Sequence, residues 1–382
     1  MQAGSCRCRA WVAWVALLYA AWAFPACRRD PPILGFPHAA PSPSVIDVVL
    51  QSVADFPGGP PAAIHGPVSH QETYSAREVD VATQLAAVPG IVAVVGHPDS
   101  RSTLLAAPVY DEAGIPLVVP NATSRALGTA GPWVFPVAPS DSQEGAFIAA
   151  FATGALRARS VALMYDNDEY GRGIRDGVRD ALAAAGTPLT ADASIGAVCA
   201  ADDDATIALM TSRRPPRPPR PPRPAPDVLV LAARPADAAC IVRQARRRLP
   251  GLRFITADAV EISNAQVAAM GVAAESTYFV AFWYDGLTDA RSTAFTTAYR
   301  RVTGTHPSPA TALQYDALML LMTAVRDVGP NRKAIQTYLS DLGRSRPPYE
   351  GVTGPISFEA GRRRPLYMLR VRGGATIAVS GP

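Results

Sequence analysis

Apolar and polar positions along this chain repeat with two periods, which predict an alternation of strands and helices. The short apolar runs IVAVVG at 91–96 and IPLVVP at 115–120 have the length and composition of buried strands. Between them, TLLAAPVYDEAG places its apolar residues at helical spacing. Five further runs continue the alternation: SVALMYD, GIRDGVRDALAAAG, DVLVLAA, ADAACIVRQARRRL and RFITAD. Strands that alternate with helices of this length predict largely parallel sheets covered on both faces.

Other segments extend this pattern to both ends of the chain. The run VIDVVLQSVADF near the start has helical spacing, and a second helix is predicted over 142–156. A long helix, PATALQYDALMLLMTAVRDVG, ends at the stop signals Gly329 and Pro330. After it, GPISFEAGRRRPLYMLRV predicts an extended run, a turn at Gly361 and a final strand. With 382 residues, the chain is long enough for two α/β lobes, each with its own core.

Residues 1–27 are typical of an export signal. Arg7 and Arg9 precede the run AWVAWVALLYAAWAF, which is too short to be a comfortable membrane span. The following FPAC is similar to a bacterial lipobox, in which Cys27 becomes the lipid-modified first residue of the mature protein. Plain secretion after cleavage at Ala23 and an uncleaved anchor are the alternatives. The sequence therefore predicts a location in the periplasm or at the outer face of a membrane.

Composition favours a globular protein without a nucleic-acid surface. Hydrophobic residues make up 48% of the chain and charged residues 18%. The net charge of +4 rests on arginine, since Lys333 is the only lysine. Much of that arginine lies near the termini and in RRPPRPPRPPRPAP at 213–226, so it does not outline a nucleic-acid site. We expect this segment to be a solvated surface loop, because prolines at such density favour polyproline II; a docking strip for an acidic or aromatic-lined partner is the alternative.

The cysteines leave one possible bridge in the mature chain. Cys6, Cys8 and Cys27 belong to the predicted signal, which leaves Cys199 and Cys240. Both fall in the same predicted lobe, and an oxidising compartment would permit a disulfide between them. The sequence does not supply the Cα separation on which such a bridge depends.

The chain lacks the common catalytic and metal-binding patterns. It contains no Gly-x-Ser-x-Gly, Walker, HExxH or cysteine–histidine zinc spacing. His97, Asp99 and Ser100 lie too close in one loop to align as nucleophile, base and orienting group. The acids at 202–204 are adjacent, so their side chains diverge, and we expect them to complement a helix dipole rather than hold a metal. We therefore predict a protein that is not an enzyme and that uses no cofactor and no metal.

Four segments in order resemble one known family. They are VVGHPDSRSTLLAAPVYDEAGIPLVVPNAT, MYDNDEYGRGIRDGVRDALAAAG, DVLVLAARPADAACIVRQAR and GPISFEAGRRRPLYMLRV. From Gly90 onward the chain is similar to bacterial periplasmic solute-binding proteins of the leucine/isoleucine/valine-binding type, which feed ABC importers. The resemblance implies two Rossmann-like lobes, a ligand cleft between them and three hinge crossovers near Pro139, Phe282 and Arg364. The N-terminal lobe would comprise 28–139 and 283–364, and the C-terminal lobe 140–282 and 365–382.

The resemblance also implies ligand-binding residues in the first lobe. Ser100 matches the position whose hydroxyl meets the ligand carboxylate, beside the free N–H groups of a helix N-terminus. In the loop Asn121–Ala122–Thr123, Asn121 would offer its backbone carbonyl to the ligand ammonium, and Thr123 its hydroxyl and N–H to the carboxylate. The alternatives are that Ser100 only caps the helix and that the loop is a turn with local hydrogen bonds.

Three further positions come from the second lobe. Asp258 matches the acid that pairs with the ligand ammonium, and Tyr170 matches an aromatic residue that packs against the ligand. Arg234 stands where members that bind apolar amino acids often carry an aromatic residue; facing the cleft, it would favour a ligand with a second anionic or polar group. The alternatives are that Asp258 caps the next helix, that Tyr170 covers the start of its own helix, and that Arg234 faces solvent.

One region departs from the family pattern. Residues 33–90 are short and rich in proline, and they lack a match to the family's first glycine-containing loop, so part of the first-lobe wall would be missing. The implied function is still that of an ABC-importer subunit that captures an amino acid, branched-chain or a related small solute, by lobe closure. Its partners would be the permease membrane subunits, with no nucleic acid. A sensory or orphan binding lipoprotein without a transporter is the alternative.

Overall fold

The computed structural model describes residues 32–37, 43–65, 77–195, 225–361, 363–373 and 375–381. The predicted signal with Cys27, most of the proline–arginine segment and Cys199 lie outside these residues. Cys240 is disulfide-bonded. In the described ranges, no helix combines the length and apolarity that a membrane crossing requires.

The first sheet is entirely parallel. Its strands have the order β2-β1-β3-β4-β5. They are β1 (Ile33–Gly35), β2 (Ala63–His65), β3 (Ile91–Val95), β4 (Leu117–Val119) and β5 (Val134–Pro136). The helices of this part are α1 (Pro43–Val53), α2 (Glu78–Ala86) and α3 (Ser100–Ala113), followed by a 3₁₀ turn at Arg125–Thr129. All five residues of β3 are buried, which explains why IVAVV reads as a continuous apolar run.

The second sheet has seven strands and contains an antiparallel edge. Its order is β14-β13-β10-β9-β8-β6-β7, and only the pairs that involve β13 and β14 are antiparallel. The parallel strands are β6 (Val161–Asp166), β7 (Leu189–Ile195), β8 (Val228–Ala232), β9 (Arg253–Thr256) and β10 (Thr277–Ala281). Beside them lie α4 (Asp141–Ala150) with a π-turn at Phe151–Ala155, α5 (Glu169–Ala184), α6 (Pro235–Arg248) and α7 (Asn264–Met270) with a 3₁₀ turn at Gly271–Ser276.

The chain then returns to the first lobe before its final strands. Helices α8 (Ala290–Thr303) and α9 (Pro309–Val328) pack on α1, and α10 (Arg332–Asp341) contacts α9. The hairpin β11 (Tyr349–Gly351) and β12 (Gly354–Ile356) follows, and β13 (Tyr367–Arg372) and β14 (Ala375–Ser380) complete the second sheet. Two lobes with parallel sheets confirm the predicted fold class. The exact crossing points near Pro139, Phe282 and Arg364 stay a proposal.

Details of several elements differ from the sequence predictions. The sequence predicts one regular helix over 142–156. Helix α4 instead begins at Asp141, and it continues after Ala150 as one turn of π-helix at Phe151–Ala155. The long helix α9 does end at Gly329. The strand predicted as the last one is β13, and a further strand, β14, pairs antiparallel with it. Because β14 is a six-residue edge strand with mostly exposed side chains, its alternation of small apolar residues gave little signal.

Helices α4 and α5 approach each other through glycines. A Cβ at Gly145 would overlap the backbone of Gly177, and a Cβ at Gly177 would lie 2.5 Å from the carbonyl oxygen of Asp141. The absence of side chains at these positions lets the two backbones touch. This contact fixes the first turn of α4, with Asp141 and Glu144, against α5.

Replacing Gly177 by alanine should therefore destabilise the protein. We expect the free energy of unfolding to fall by about 1–3 kcal/mol, as in other overpacked contacts, measured by urea denaturation. The matched control is Gly154→Ala, because a Cβ there meets no atom within 4 Å. Equal stability of both variants would contradict the close packing of α4 on α5.

Candidate functional site

A cavity of about 230 Å³ lies between the loops that follow the strands of the two sheets. Fifteen residues line it: Pro98, Asp99, Ser100, Asn121, Thr123, Tyr170, Arg234, Asp258, Ala259, Glu261, Ala281, Phe282, Pro309, Ala310 and Leu313. Six of the seven ligand-binding residues predicted from the sequence are in this set. All of the lining residues lie at or after Pro98, so within the described chain the wall receives nothing from the region that departs from the family pattern.

The start of α3 presents Ser100 to the cavity. Asp99, not Ser100, is the N-cap: its side chain accepts a 2.9 Å hydrogen bond from the N–H of Ser102. The alternative that Ser100 merely caps the helix is therefore wrong. The Ser100 hydroxyl oxygen accepts hydrogen bonds from the backbone N–H groups of Thr123 and Ser124, at 3.3 and 3.1 Å. Its own proton is thus left to donate to an acceptor in the cavity.

The loop after β4 forms the second part of this wall. Thr123 is buried, and both Thr123 and Asn121 line the cavity; the buried Oδ1 atom of Asn121 accepts no hydrogen bond from the described residues. Ala122 differs from both: it is buried in the apolar core of the first sheet and does not line the cavity. The Thr123 N–H donates to Ser100 and holds the loop to α3, so the prediction that this N–H binds the ligand carboxylate is wrong.

A buried histidine supports the loop between β3 and α3. His97 is fully buried, and its ring nitrogens lie 2.7 Å from Glu78 Oε2 and 3.1 Å from the Tyr110 hydroxyl. Burial and the nearby Glu78 carboxylate raise the pKa of Tyr110. His97 thus links α2 and α3 below the cavity, but His97 is not one of the residues that line the cavity. In sequence it could only be considered as part of a nucleophilic triad, since Glu78 and Tyr110 are distant along the chain.

Tyr170 and Asp258 form the opposite wall. The Tyr170 hydroxyl donates to Asp258 Oδ1 at 2.7 Å and accepts from the N–H of Ala259 at 3.2 Å. Asp258 does not cap the next helix, because α7 begins at Asn264 and is capped by Ser263. Tyr170 therefore orients the carboxylate that the sequence analysis assigned to a ligand ammonium.

A further acid, Glu144, lies behind this pair. It is fully buried, and its Oε1 accepts the N–H of Asp258 at 2.8 Å. Burial and the Asp258 carboxylate raise the pKa of Glu144 well above its usual range. The sequence analysis missed this residue. The available signal was its position on the buried face of α4, together with Gly145 and Ile148.

The surroundings of Asp258 are strongly acidic. Burial raises the pKa of Asp258, and hydrogen bonds from Tyr170 and the Glu144 carboxyl oppose that shift. Burial likewise raises the pKa of Asp141 to about 7, with the Thr123 hydroxyl opposing it and Asp258 adding to it. The pKa of Glu261 is raised by burial as well. In the described part of the chain, no group of three or more histidine, cysteine or acidic side chains has metal-holding geometry.

Arg234 lines the cavity but is already paired. Its Nη2 donates to Asp168 Oδ2 at 2.8 Å, and its backbone N–H donates to Asp166 Oδ2 at 2.9 Å. The guanidinium lies 5.7 Å from the centre of the Tyr170 ring, and half of the side chain is exposed. Arg234 therefore stands at the margin of the cavity, with its charge balanced by protein carboxylates.

Hydrogen bonds join the lobes across the cleft, including one from the Asp141 N–H to the Thr123 carbonyl oxygen at 2.8 Å. The Ser124 hydroxyl donates to Glu169 Oε1 at 3.0 Å, and the N–H of Ala310 donates to Glu261 Oε1 at 2.9 Å. Ser124 follows β4 and Glu169 begins α5, so this bond connects the first sheet to the second. The structure therefore has a closed cleft in which both walls face one cavity.

Known proteins are similar to this chain over most of its length. The family model described as "Periplasmic binding protein" matches residues 72–375. "Leu/Ile/Val-binding protein homolog 1" of Brucella suis is 25% identical over 74% of this chain and 71% of its own length. An "Amino acid binding protein" of Pseudomonas aeruginosa is 37% identical, but that match spans 27% of this chain and 28% of that protein.

Solved structures share the fold at lower sequence identity. The substrate-binding protein LivJ of Streptococcus pneumoniae, in complex with isoleucine, superposes with a TM-score of 0.76 and 24% identity over 92% of this chain and 99% of its own. The leucine-binding protein LivK of Thermotoga maritima superposes with a TM-score of 0.75 and 18% sequence identity, covering 92% of this chain and 98% of its own. These matches confirm the resemblance inferred from the four sequence segments.

The interlobe bond between Ser124 and Glu169 should contribute to closure. We expect a double-mutant cycle with Ser124→Ala and Glu169→Ala to give a coupling of about 1 kcal/mol in ligand affinity, since a hydrogen bond to a charged group is removed. Titration calorimetry measures the affinities, and small-angle scattering of the ligand-free variants should show a larger radius of gyration. Fully additive effects in the cycle would contradict this role.

Proposed function

Since this chain belongs to the periplasmic binding protein family, we propose that it is an exported substrate-binding protein that captures an amino acid between its lobes. The observation that carries the proposal is the partly buried Asp258 carboxylate, oriented by Tyr170 and facing the Ser100–Thr123 wall across one cavity. A free amino acid carries an ammonium and a carboxylate close together. It therefore fits an acceptor and a set of donors that face each other.

The ligand carboxylate would bind at the first-lobe wall. The Ser100 hydroxyl retains its proton for an acceptor, and the N-terminal turn of α3 adds a favourable dipole. Thr123 would line this site, with its N–H bonded to Ser100 and its hydroxyl facing Asp141. The ammonium would bind Asp258, with the backbone carbonyl of Asn121 as a second acceptor.

The remaining lining suits a small aliphatic side chain. Apolar groups come from residues on both sides of the cleft, and Phe282 and Leu313 are the largest aliphatic or phenyl side chains among them. Arg234 would be a poor partner for a second ligand carboxylate, because it is already paired with Asp168. We therefore propose a ligand of the branched-chain type, in keeping with the isoleucine bound by the S. pneumoniae relative.

Delivery to an ABC permease would complete the function. Relatives of this chain are named as transporter subunits, and the predicted export signal supports export of the mature protein across the inner membrane. Lipid modification of Cys27 would hold it close to a permease. Nothing in this proposal requires a catalytic step.

Titration calorimetry against L-isoleucine, L-leucine, L-valine and a panel of other amino acids tests the ligand class. We expect tight one-to-one binding of at least one branched-chain amino acid. Because the cavity has one acidic and one donor-rich wall, the matching amine and the matching acid, which each lack one charged group, should bind weakly. If no amino acid of the panel binds, the proposal that the ligand is an amino acid is wrong.

Replacing Asp258 by alanine should weaken amino-acid binding by about 2 kcal/mol or more, since the ligand ammonium loses its buried partner. The control is Asp192→Ala, an exposed carboxylate on β7. Calorimetry of the two variants measures the difference. Unchanged affinity in Asp258→Ala would show that the ammonium binds elsewhere.

A further inference from the structure

We propose that Glu144 is a positioning residue that carries a proton in the ligand-free protein and donates it to the Asp258 carboxylate. The inference rests on the proposed function for its consequence, because Asp258 is there the partner of the ligand ammonium. It concerns how Asp258 is held in position to bind a cationic group of the ligand. Glu144 acts through Asp258 and does not line the cavity.

The geometry of the two carboxyl groups requires a proton. Glu144 Oε1 accepts the backbone N–H of Asp258 at 2.8 Å, and the two carboxyl groups lie within hydrogen-bonding reach of each other. Glu144 is 0% exposed, and its Oε2 accepts no hydrogen bond from any donor in the described chain. Two ionised carboxylates offer only acceptors to each other, so neither can bond the other. With one proton, the Glu144 carboxyl becomes the donor that Asp258 lacks on this side.

No nearby cation removes the need for this proton. The groups that face Glu144 are Asp141 on its own helix, Tyr170 on α5 and Asp258 after β9. Glu261 also faces Asp258. Arg234 is the one cation among the described lining residues, and it is bonded to Asp168. Neighbouring carboxyl groups in a buried site cannot all be ionised, because their negative charges repel each other. Burial and the Asp258 charge both raise the pKa of Glu144.

The proton should make ligand affinity depend on pH. An ammonium beside Asp258 stabilises the fully ionised pair more than the singly ionised one. The complex then binds fewer protons than the free protein, so affinity rises as the pH rises through the range in which the free protein still holds the proton. Linkage limits this rise to about tenfold per pH unit for one proton released.

Glutamine is the informative replacement for Glu144. Its amide oxygen can accept the N–H of Asp258 while its amide group donates to the carboxylate, so Glu144→Gln imitates the protonated acid permanently. Glu144→Ala removes both bonds. The matched control is Glu112→Gln, an exposed acid on α3.

Infrared spectroscopy of the ligand-free proteins near neutral pH tests the proton directly. Burial raises the pKa of Asp141 to about 7, so that carboxyl group contributes to the carbonyl band in every variant. We expect Glu144→Gln to reduce the intensity of the band by one carboxyl group relative to the unmodified protein, and Glu112→Gln to leave it unchanged. Absence of the band in the unmodified protein, or equal intensity in Glu144→Gln, overturns the inference. This readout needs no ligand, so it stands even if the protein binds no amino acid and the proposed function fails.

Calorimetry with L-isoleucine between pH 6 and 8.5 tests the consequence. We expect the affinity of the unmodified protein to rise with pH, Glu144→Ala to bind at least about tenfold more weakly, and Glu144→Gln to recover most of that loss without the pH dependence. The same pH dependence in Glu144→Gln would overturn the inference. Should either variant fail to fold, the infrared band of the unmodified protein and its titration decide the matter.

Discussion

The hydrogen bond from Tyr170 to Asp258 joins the elements on which the second-lobe wall depends. Tyr170 comes from the first turn of α5, Asp258 from the loop after β9, and Glu144 from α4 behind both. A carboxylate buried without such donors would be costly, because burial removes its hydration. Here the tyrosine hydroxyl supplies one donor on one side. The Asp258 carboxylate can therefore remain ionised although it is partly shielded from solvent.

The first-lobe wall is built on a different principle. The Ser100 hydroxyl accepts from two backbone N–H groups and so ties the β4 loop to the start of α3. His97 holds the preceding loop from below through Glu78 and Tyr110. The first-lobe wall thus presents the Ser100 hydroxyl at a helix N-terminus, and the second-lobe wall presents the Asp258 carboxylate. This division follows from the helix N-terminus on one side and the acid-bearing strand end on the other.

Sequence periodicity was sufficient to predict the fold class, because buried parallel strands such as β3 are continuous apolar runs between amphipathic helices. Ser100, Asn121, Thr123, Tyr170, Arg234 and Asp258 were found because they follow strands in motifs shared with a family. Glu144 was not found, since an acid within a helix usually faces solvent and its burial depends on the glycine contact with α5. Ala122 was included only as the neighbour of two lining residues, and it packs into the core.

The glycine contact between α4 and α5 also bears on the kinetics of ligand capture. Because Glu144 and Tyr170 stand on two helices that touch backbone to backbone, their relative positions do not depend on whether the cleft is open. An arriving solute therefore meets a second-lobe surface that is already organised. The conformational free-energy cost of ligand binding then comes from the movement that brings the other lobe into contact. The lifetime of the complex is set by the rate at which the lobes separate.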